Sequence, residues 1–317
     1  MRILDYDELP SHMEGDVQLL DNTAGWGIMD FRKVKEARRL GYPAAEYFGV
    51  YAVEGGRVES MIRVLRLPFT TLRGTERVAA IQGVVTRLDR SRMGLARSLM
   101  KEVLERERRN GSSYALLWTS RGNVAHALYS SLGYVDVHTP DIAVRRCVGS
   151  VGGATRLKLR KARAADWPTI ERLHREATRG RTGFAPRWDG IVRSLLKLGF
   201  LEPGPFMLVV KGSAPVGYGF LRKDPGWPVL DELVVLPGVS FDEVIPLFEW
   251  RARGRWLTLR NTLVRDSMGT LKRRGYSFTD QAYYTLMAAP LGGSRGDVPK
   301  TLGVSDPSFT CQRLDYF

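Results

Sequence analysis

Residues 87–100, RLDRSRMGLARSLM, set four arginines around Gly94 and Ala96 just ahead of an amphipathic run. The chemistry this composition fits is anion holding. A helix start exposes unpaired backbone N–H groups and the positive end of the helix dipole, and a tight entry makes those groups converge. Gly94 and Ala96 are small enough for a ligand to approach the backbone, and Arg90, Arg92 and Arg97 bring flexible positive charge. A basic turn that holds nothing has the same composition, so the loop alone leaves both readings open.

Other reactive residue types are sparse. Cys147 and Cys311 are the only cysteines, and His12, His126, His138 and His174 are scattered without ligand spacing. A metal-free, cytosolic protein is expected, with a Cys147–Cys311 disulfide left open. No apolar run reaches the roughly 18 residues of a membrane span, and MRILDYDELP has no basic-then-apolar leader pattern. The 317-residue chain, 44% hydrophobic and 26% charged, has the make-up of a soluble globular protein of two domains. Its net charge of +14 is uneven, with 22 cationic against 18 acidic residues in 1–150 and 26 against 16 in 151–317. An acidic partner and a merely solvated basic surface both fit that imbalance. No tight basic run interleaved with aromatics of the kind that binds nucleic acid is expected.

The elements that must position the basic loop follow from periodicity. YFGVYAVEGG (47–56) reads as a strand entering a Gly-Gly turn, RVESMIRVLRLPF (57–69) as its hairpin partner and RVAAIQGVVTRL (77–88) as a buried strand. A helix is predicted over 94–110, with Leu95, Leu99, Val103 and Leu104 on one face. Glu102–Arg106 and Glu105–Arg109 are expected as outer pairs, with Gly111 closing the helix. SYALLWTS (113–120) is a further strand, and NVAHALYSSLG (123–133) a short helix leading into YVDVHT. VGSVGGA (148–154) is the expected linker. Beyond it the same succession returns: RLKLRKA, a helix from about Asp166, the hairpin 206–222, the strand 229–237, a helix from FDEVIPL, the strand RWLTLRN and a helix ending LKRRGY. LKRRGY (271–276) echoes YSSLGY (129–134), with Gly275 in register with Gly133.

Strand, basic small-residue loop, helix, strand and an Asn-headed helix with Tyr129 and Leu-Gly-Tyr together resemble the GNAT acyl-CoA transferase superfamily over at least residues 40–146. That family's loop reads Gln/Arg-x-x-Gly-x-Gly/Ala, matched here by Ser91-Arg92-Met93-Gly94-Leu95-Ala96, with Ser91 departing from the leading Gln/Arg. The resemblance implies two α/β (α+β) GNAT-like domains, each a mixed, mostly antiparallel sheet flanked by helices: 1–147 catalytic, 155–317 a degenerate copy. It implies acetyl-CoA as cosubstrate, its pyrophosphate on the loop amides and its pantetheine arm beside Val84, Val85, Thr86 and Asn123. Tyr129 falls on the family's tyrosine, whose hydroxyl protonates the departing thiolate. The other reading of Tyr129 is packing, since Ala125, Tyr129 and Leu132 share one helix face.

Attack by an amine on a thioester needs the amine neutral, so a proton acceptor is required. The family's strand glutamate falls at or near Ala80; no carboxylate lies on RVAAIQGVV, and Gln82 could only orient a water. The chain is similar to tandem GNAT acetyltransferases of the Eis type, in which the terminal carboxylate reaches the first active site. That resemblance implies a role for the carboxylate of Phe317, against the alternative of an ordinary tail. The chain stops before a sterol-carrier-like third domain, and Arg90-Ser91-Arg92-Met93-Gly94 departs from the group's Arg-Arg-Arg-Gly.

In the second copy GVSFDEV stands where the loop should be, its Asp242 and Glu243 unsuited to a pyrophosphate. Leu271 takes the tyrosine position, and Glu232 is read as structural. Trp118 lies on the strand beside the expected cofactor. The function expected is acetyl transfer to a primary amine, on a small molecule or a peptide, by direct attack without metal or cysteine nucleophile. A backbone N–H near Thr86 would steady the oxyanion. The rival is a non-catalytic acyl-CoA sensor or RNA-associated protein. No membrane partner is expected, and self-association is left open.

Overall fold

The computed structural model describes all residues except 24–35, 37–38, 40–47, 149–155, 198–200, 202–203, 225–226, 261, 281–283, 293–296 and 311–317. The first half begins with β1 (Arg2–Asp5) and α1 (Glu14–Thr23), followed by β2 (Phe48–Glu54) and β3 (Arg57–Thr71). Gly55 and Gly56 join these two strands at φ 58° and 77°, torsions that suit a two-residue hairpin and cost other residues strain. β4 (Gly74–Thr86), α2 (Leu95–Arg109), β5 (Tyr114–Thr119), α3 (Val124–Ser130) and β6 (Val135–His138) complete it.

The second half runs β7 (Asp141–Arg146), β8 (Leu157–Lys161), α4 (Trp167–Ala177), α5 (Ile191–Lys197), β9 (Phe206–Lys211) and β10 (Ala214–Asp224). It continues through β11 (Trp227–Val235), α6 (Phe241–Arg251), β12 (Trp256–Arg260), α7 (Thr262–Arg273), β13 (Ser277–Asp280), β14 (Thr285–Pro290) and α8 (Val298–Leu302).

Two seven-stranded sheets result, ordered β1-β2-β3-β4-β5-β14-β6 and β8-β9-β10-β11-β12-β7-β13. In each, the fourth and fifth strands are parallel (β4 with β5, β11 with β12). The other strand pairs are antiparallel. The two orders match position by position, so the internal repeat is a repeat of topology and the mixed, mostly antiparallel architecture holds for both sheets.

The sixth position of each sheet is filled from outside its own half. β14 reaches the first sheet from near the chain's end, pairing Met287 with Leu117 of β5. β7 joins the second sheet, with Thr258 of β12 opposite Val144. One compact unit therefore comprises Met1–His138 with Thr285–Ser305, and the other Thr139–Tyr284 with Asp306–Tyr316. A division at residues 148–154 does not separate the sheets, because the hydrogen bonds of β7 are made with the second one.

In the first unit α2 buries Leu99, Met100, Val103 and Leu104 against one sheet face, together with Val50, Ile62, Ala79, Ile81, Leu117 and Tyr129. α1 buries Val17 and Leu20 among Tyr51, Met61 and Val85. Glu107, on the buried side of α2, is fully enclosed. Arg66 Nη2 donates to it at 2.8 Å and Ser112 Oγ at 2.9 Å, supplying the compensation a buried carboxylate needs. On the outer face Glu102 pairs with Arg106 as expected. Glu105 pairs with Arg108 in place of Arg109, an i,i+3 contact that serves as well as i,i+4. The second unit's core gathers Val209, Leu230, Val244, Ile245, Phe248, Leu257 and Leu259.

Candidate functional site

The parallel ladder between β4 and β5 is short: Val78↔Tyr114, Ala79↔Ala115 and Ala80↔Leu116. Beyond Ala80, β4 continues to Thr86 with β3 alone. Its register there shifts between Met61/Arg63, so that one extra β4 residue is accommodated, with Gly83 at φ 53°. A bulge of this kind bends the strand and sharpens its twist. Among the described residues, 81–86 have no ladder partner on the β5 side, so the strand edge is open at the carboxyl end of a parallel pair. Val84 is half-buried against the α2-face core, while Val85 is buried toward α1. The Thr86 hydroxyl lies 2.8 Å from Ser60 Oγ.

The basic loop follows this opening. A turn of 3-10 helix at Leu88–Arg90 ends with the Ser91 N–H on Leu88 O, 3.2 Å. Arg92 then takes φ 63° and Gly94 φ 78°. The first bond of α2 runs from the Ser98 N–H to Gly94 O, at 2.9 Å, so the N–H groups of Leu95, Ala96 and Arg97 have no acceptor within the helix. Gly94, the N-cap, has no side chain with which to cap them. Ser91, Arg92, Met93, Gly94 and Arg97 are exposed, and Leu95 and Ala96 half-buried. Left-handed torsions just ahead of free helix-start amides are the backbone pattern from which anion nests are built. Arg92 and Arg97 make no ion pair among the described residues, so their charge is available. Arg90 is placed differently: its guanidinium pairs with Glu54 and lies 3.9 Å from Glu59. Those carboxylates come from β2 and β3, which the loop's own sequence does not reveal.

Asn123 caps α3, accepting the Ala125 N–H at 3.0 Å on Oδ1, which leaves its amide N–H groups for another partner. Tyr129 is 6% exposed. It shares a core with Ile81 of β4, Leu117 of β5 and Leu99 of α2, and Val84 packs on that core. Its ring lies 5.9 Å from that of Tyr134. Burial pushes the Tyr129 phenol up to about 12, so it stays protonated at neutral pH. Its hydroxyl makes no hydrogen bond among the described residues. The packing role read from sequence is thus present, and the phenol keeps its proton.

No carboxylate lies on β4 beyond Glu76, which sits at the strand's far end against Thr71. Ala80 is buried in the sheet and Gln82, half-buried, stands opposite Arg63 at the bulge. Phe317 and Cys311 lie outside the described residues. Two features escaped the sequence reading. Arg63 packs against the bulge, its Nε 3.4 Å from where a Cβ on Gly83 would stand. Its partner is Asp21 of α1, fully buried, and burial lowers the guanidinium to about 10. The other is Glu59, buried 3.5 Å from Arg87. Neither carries a local motif; each is set by pairing across the sheet. Among the described residues no group of His, Cys, Asp or Glu is arranged to hold a metal, and no helix is long and apolar enough to cross a membrane.

Residues 21–135 match the family model for the acetyltransferase (GNAT) domain. The first unit carries a GNAT acetyltransferase domain. The fold around it is also that of known GNAT structures. A GCN5-related N-acetyltransferase from Kribbella flavida is 19% identical, with TM-score 0.65, over 92% of this chain and 72% of that one. A tandem GNAT protein from the clavulanic acid biosynthesis pathway is 15% identical, with TM-score 0.58, over 92% of this chain and 99% of that one. Eis1 from Mycobacterium abscessus is 16% identical, with TM-score 0.58, over 92% and 74%. No curated protein sequence matches the chain.

The second unit repeats the GNAT topology without the GNAT loop. The parallel ladder of β11 and β12 is short as well, Val229↔Thr258 and Leu230↔Leu259, and β11 continues to Val235 with β10, past a register shift that accommodates one extra β11 residue, so the strand opening is kept and the difference lies in the loop. The helix that follows is capped by its own Ser240 Oγ, which accepts the Asp242 N–H at 3.1 Å. Asp242 pairs with Arg273 at 2.9 Å, so carboxylates occupy the end where the first domain exposes amides. Leu271, at the tyrosine position, is buried core. Glu232 is buried with both oxygens engaged, by Arg187 at 2.9 and 2.8 Å and by the Tyr218 hydroxyl. A carboxylate so held is a structural ion pair, not a base awaiting a proton.

Proposed function

We propose that the first unit transfers an acetyl group from acetyl-CoA to a primary amine, by direct attack of the amine on the thioester. The observation that carries this reading is the meeting of two unsatisfied backbone surfaces at one end of the β4–β5 pair. One is the open strand edge of residues 81–86 and the other the amide nest of residues 92–97. A strand edge pairs with an amide-bearing arm, and a nest holds a diphosphate; coenzyme A has both. Val84, Val85 and Thr86 would line the arm, Asn123 would donate to it, and Ser91, Arg92, Met93, Gly94, Leu95, Ala96 and Arg97 would surround the diphosphate. Arg90, turned to Glu54 and Glu59, supports the loop from behind.

The amine nitrogen attacks the carbonyl carbon, and a β4 N–H near the bulge steadies the developing oxyanion. As the C–S bond breaks, the sulfur takes the proton of the Tyr129 hydroxyl. A free thiol titrates at about 8.5 and a free phenol at about 10, so the donor begins at a disadvantage. The apolar surroundings that raise Tyr129 raise a thiolate beside it as well, which narrows the gap. The amine's proton leaves to solvent through a water, which Gln82 would orient. The acceptor is a small-molecule or peptide amine. The test is an amine panel with detection of released thiol. Thiol release that depends on the amine is expected. Acetyl-CoA binding without release for any amine would favour a sensor over an enzyme.

A further inference from the structure

The stretch WRARGRW (250–256) does interleave cations with tryptophans, at the point where α6 ends and turns into β12. Arg251, Arg253 and Arg255 are exposed and make no ion pair among the described residues. The Arg253 guanidinium is stacked 4.3 Å from the centroid of the Trp250 ring, which fixes its direction. Together with Arg222 and Lys223 from the end of β10, these three arginines line an open pocket of about 420 Å³ within the second unit. Arg222 is committed to the buried Asp231. Lys223 and the three arginines have no such partner, and no carboxylate lines the pocket among the described residues.

Four uncompensated cations around one concavity repel one another, and an anion in their midst reverses that cost. The floor between them is apolar, formed by Met207, Pro228 and the half-buried Leu221. Guanidinium forks match phosphate oxygens in pairs, and an apolar floor takes an organic body that a bare ion does not supply. We propose that this pocket is a binding site for a small organic phosphate bearing at least two negative charges. It is made of second-unit residues alone and does not depend on how the first unit uses acetyl-CoA. Concavity favours a small ligand over a nucleic-acid strand, which would need an extended track.

The test is calorimetric titration of the full chain at low salt with pyrophosphate and with ADP, compared with the double variant R251Q/R255Q. Any binding at the first unit's loop is common to both proteins, so their difference reads this pocket alone. A saturable component weakened about tenfold or more in the variant is expected, with ADP tighter than pyrophosphate. Equal binding in both proteins, or no saturable binding in either, would overturn the proposal. So would poly(U) binding that R251Q/R255Q abolishes while both phosphates are unaffected, an outcome pointing to a nucleic-acid surface. Lys223→Gln carries the same comparison if the double variant does not fold.

Discussion

Arg92 and Gly94 both adopt left-handed backbone torsions, φ 63° and 78°, on either side of Met93. Arg92 is the only residue other than glycine with positive φ among those described. A non-glycine residue held there costs about 1–2 kcal/mol, and such strain persists where the surroundings or a ligand require it. Both torsions stand directly ahead of the free N–H groups of α2.

Gly94→Ala isolates the backbone from the packing. A methyl group at Gly94 meets no protein atom within 4 Å, so the substitution acts through the left-handed penalty and through crowding of a ligand against the backbone. Acetyl-CoA affinity is expected to fall about tenfold, the equivalent of about 1.4 kcal/mol, measured by calorimetry. Arg92→Gly relieves the same strain while removing a charge. It should raise the melting temperature slightly and flatten the salt dependence of acetyl-CoA binding. An unchanged salt dependence would show that Arg92 does not face the anion.

Tyr129→Phe should lower kcat by about 10²-fold or more while acetyl-CoA affinity is kept. Because burial holds the phenol at about 12, the wild-type rate should show no loss from Tyr129 ionisation near pH about 10, where a free tyrosine titrates. An unchanged kcat in Tyr129→Phe would reduce the residue to its packing role.

The second unit's stability rests in part on Glu249, which binds Arg274 and, at 3.0 Å, Arg145 of the exchanged strand β7. Burial alone would raise this carboxyl, but Arg274 and Arg145 outweigh it and hold it below the usual carboxylate range. A depressed carboxyl stabilises the fold above its unfolded pKa of about 4.3 and loses that contribution as pH falls through the lower folded value. Glu249→Gln should therefore melt earlier than wild type at neutral pH, with the difference closing as pH falls below the usual carboxylate range. A constant difference across that range would contradict the assignment.

Arg187→Met leaves Glu232 buried without its cation. Loss of one member of such a pair costs about 3–5 kcal/mol, read by denaturant unfolding of the second unit. Glu232→Gln with Arg187→Met should recover part of it. Full activity of a well-folded Glu232→Gln protein is also expected, since Glu232 is not part of the acyl-transfer site.

Local periodicity and turn chemistry made much of the first unit legible. The Gly-Gly hairpin, the amphipathic α2 with Gly111 at φ 77° behind it, and Asn123 at the head of α3 are all set by near neighbours. What depends on distant pairing was not readable. DIAVRR and TLMAAP are short apolar runs with nothing in them to say which sheet they complete, yet β7 and β14 exchange halves. Arg90 looks like a phosphate ligand until Glu54 and Glu59 are brought to it across the sheet. Asp21 meets Arg63 only because α1 covers the bulge face. WRARGRW read as a helix end, and its charges acquired meaning only with Arg222 and Lys223 beside them.

The account turns on acetyl-CoA binding as acyl donor at the nest and strand opening of the first unit. Calorimetric titration of the full chain with acetyl-CoA, beside Gly94→Ala, tests it most directly. One site per chain, weakened about tenfold by Gly94→Ala, is the predicted result. Acetyl-CoA binding indifferent to Gly94 would contradict it.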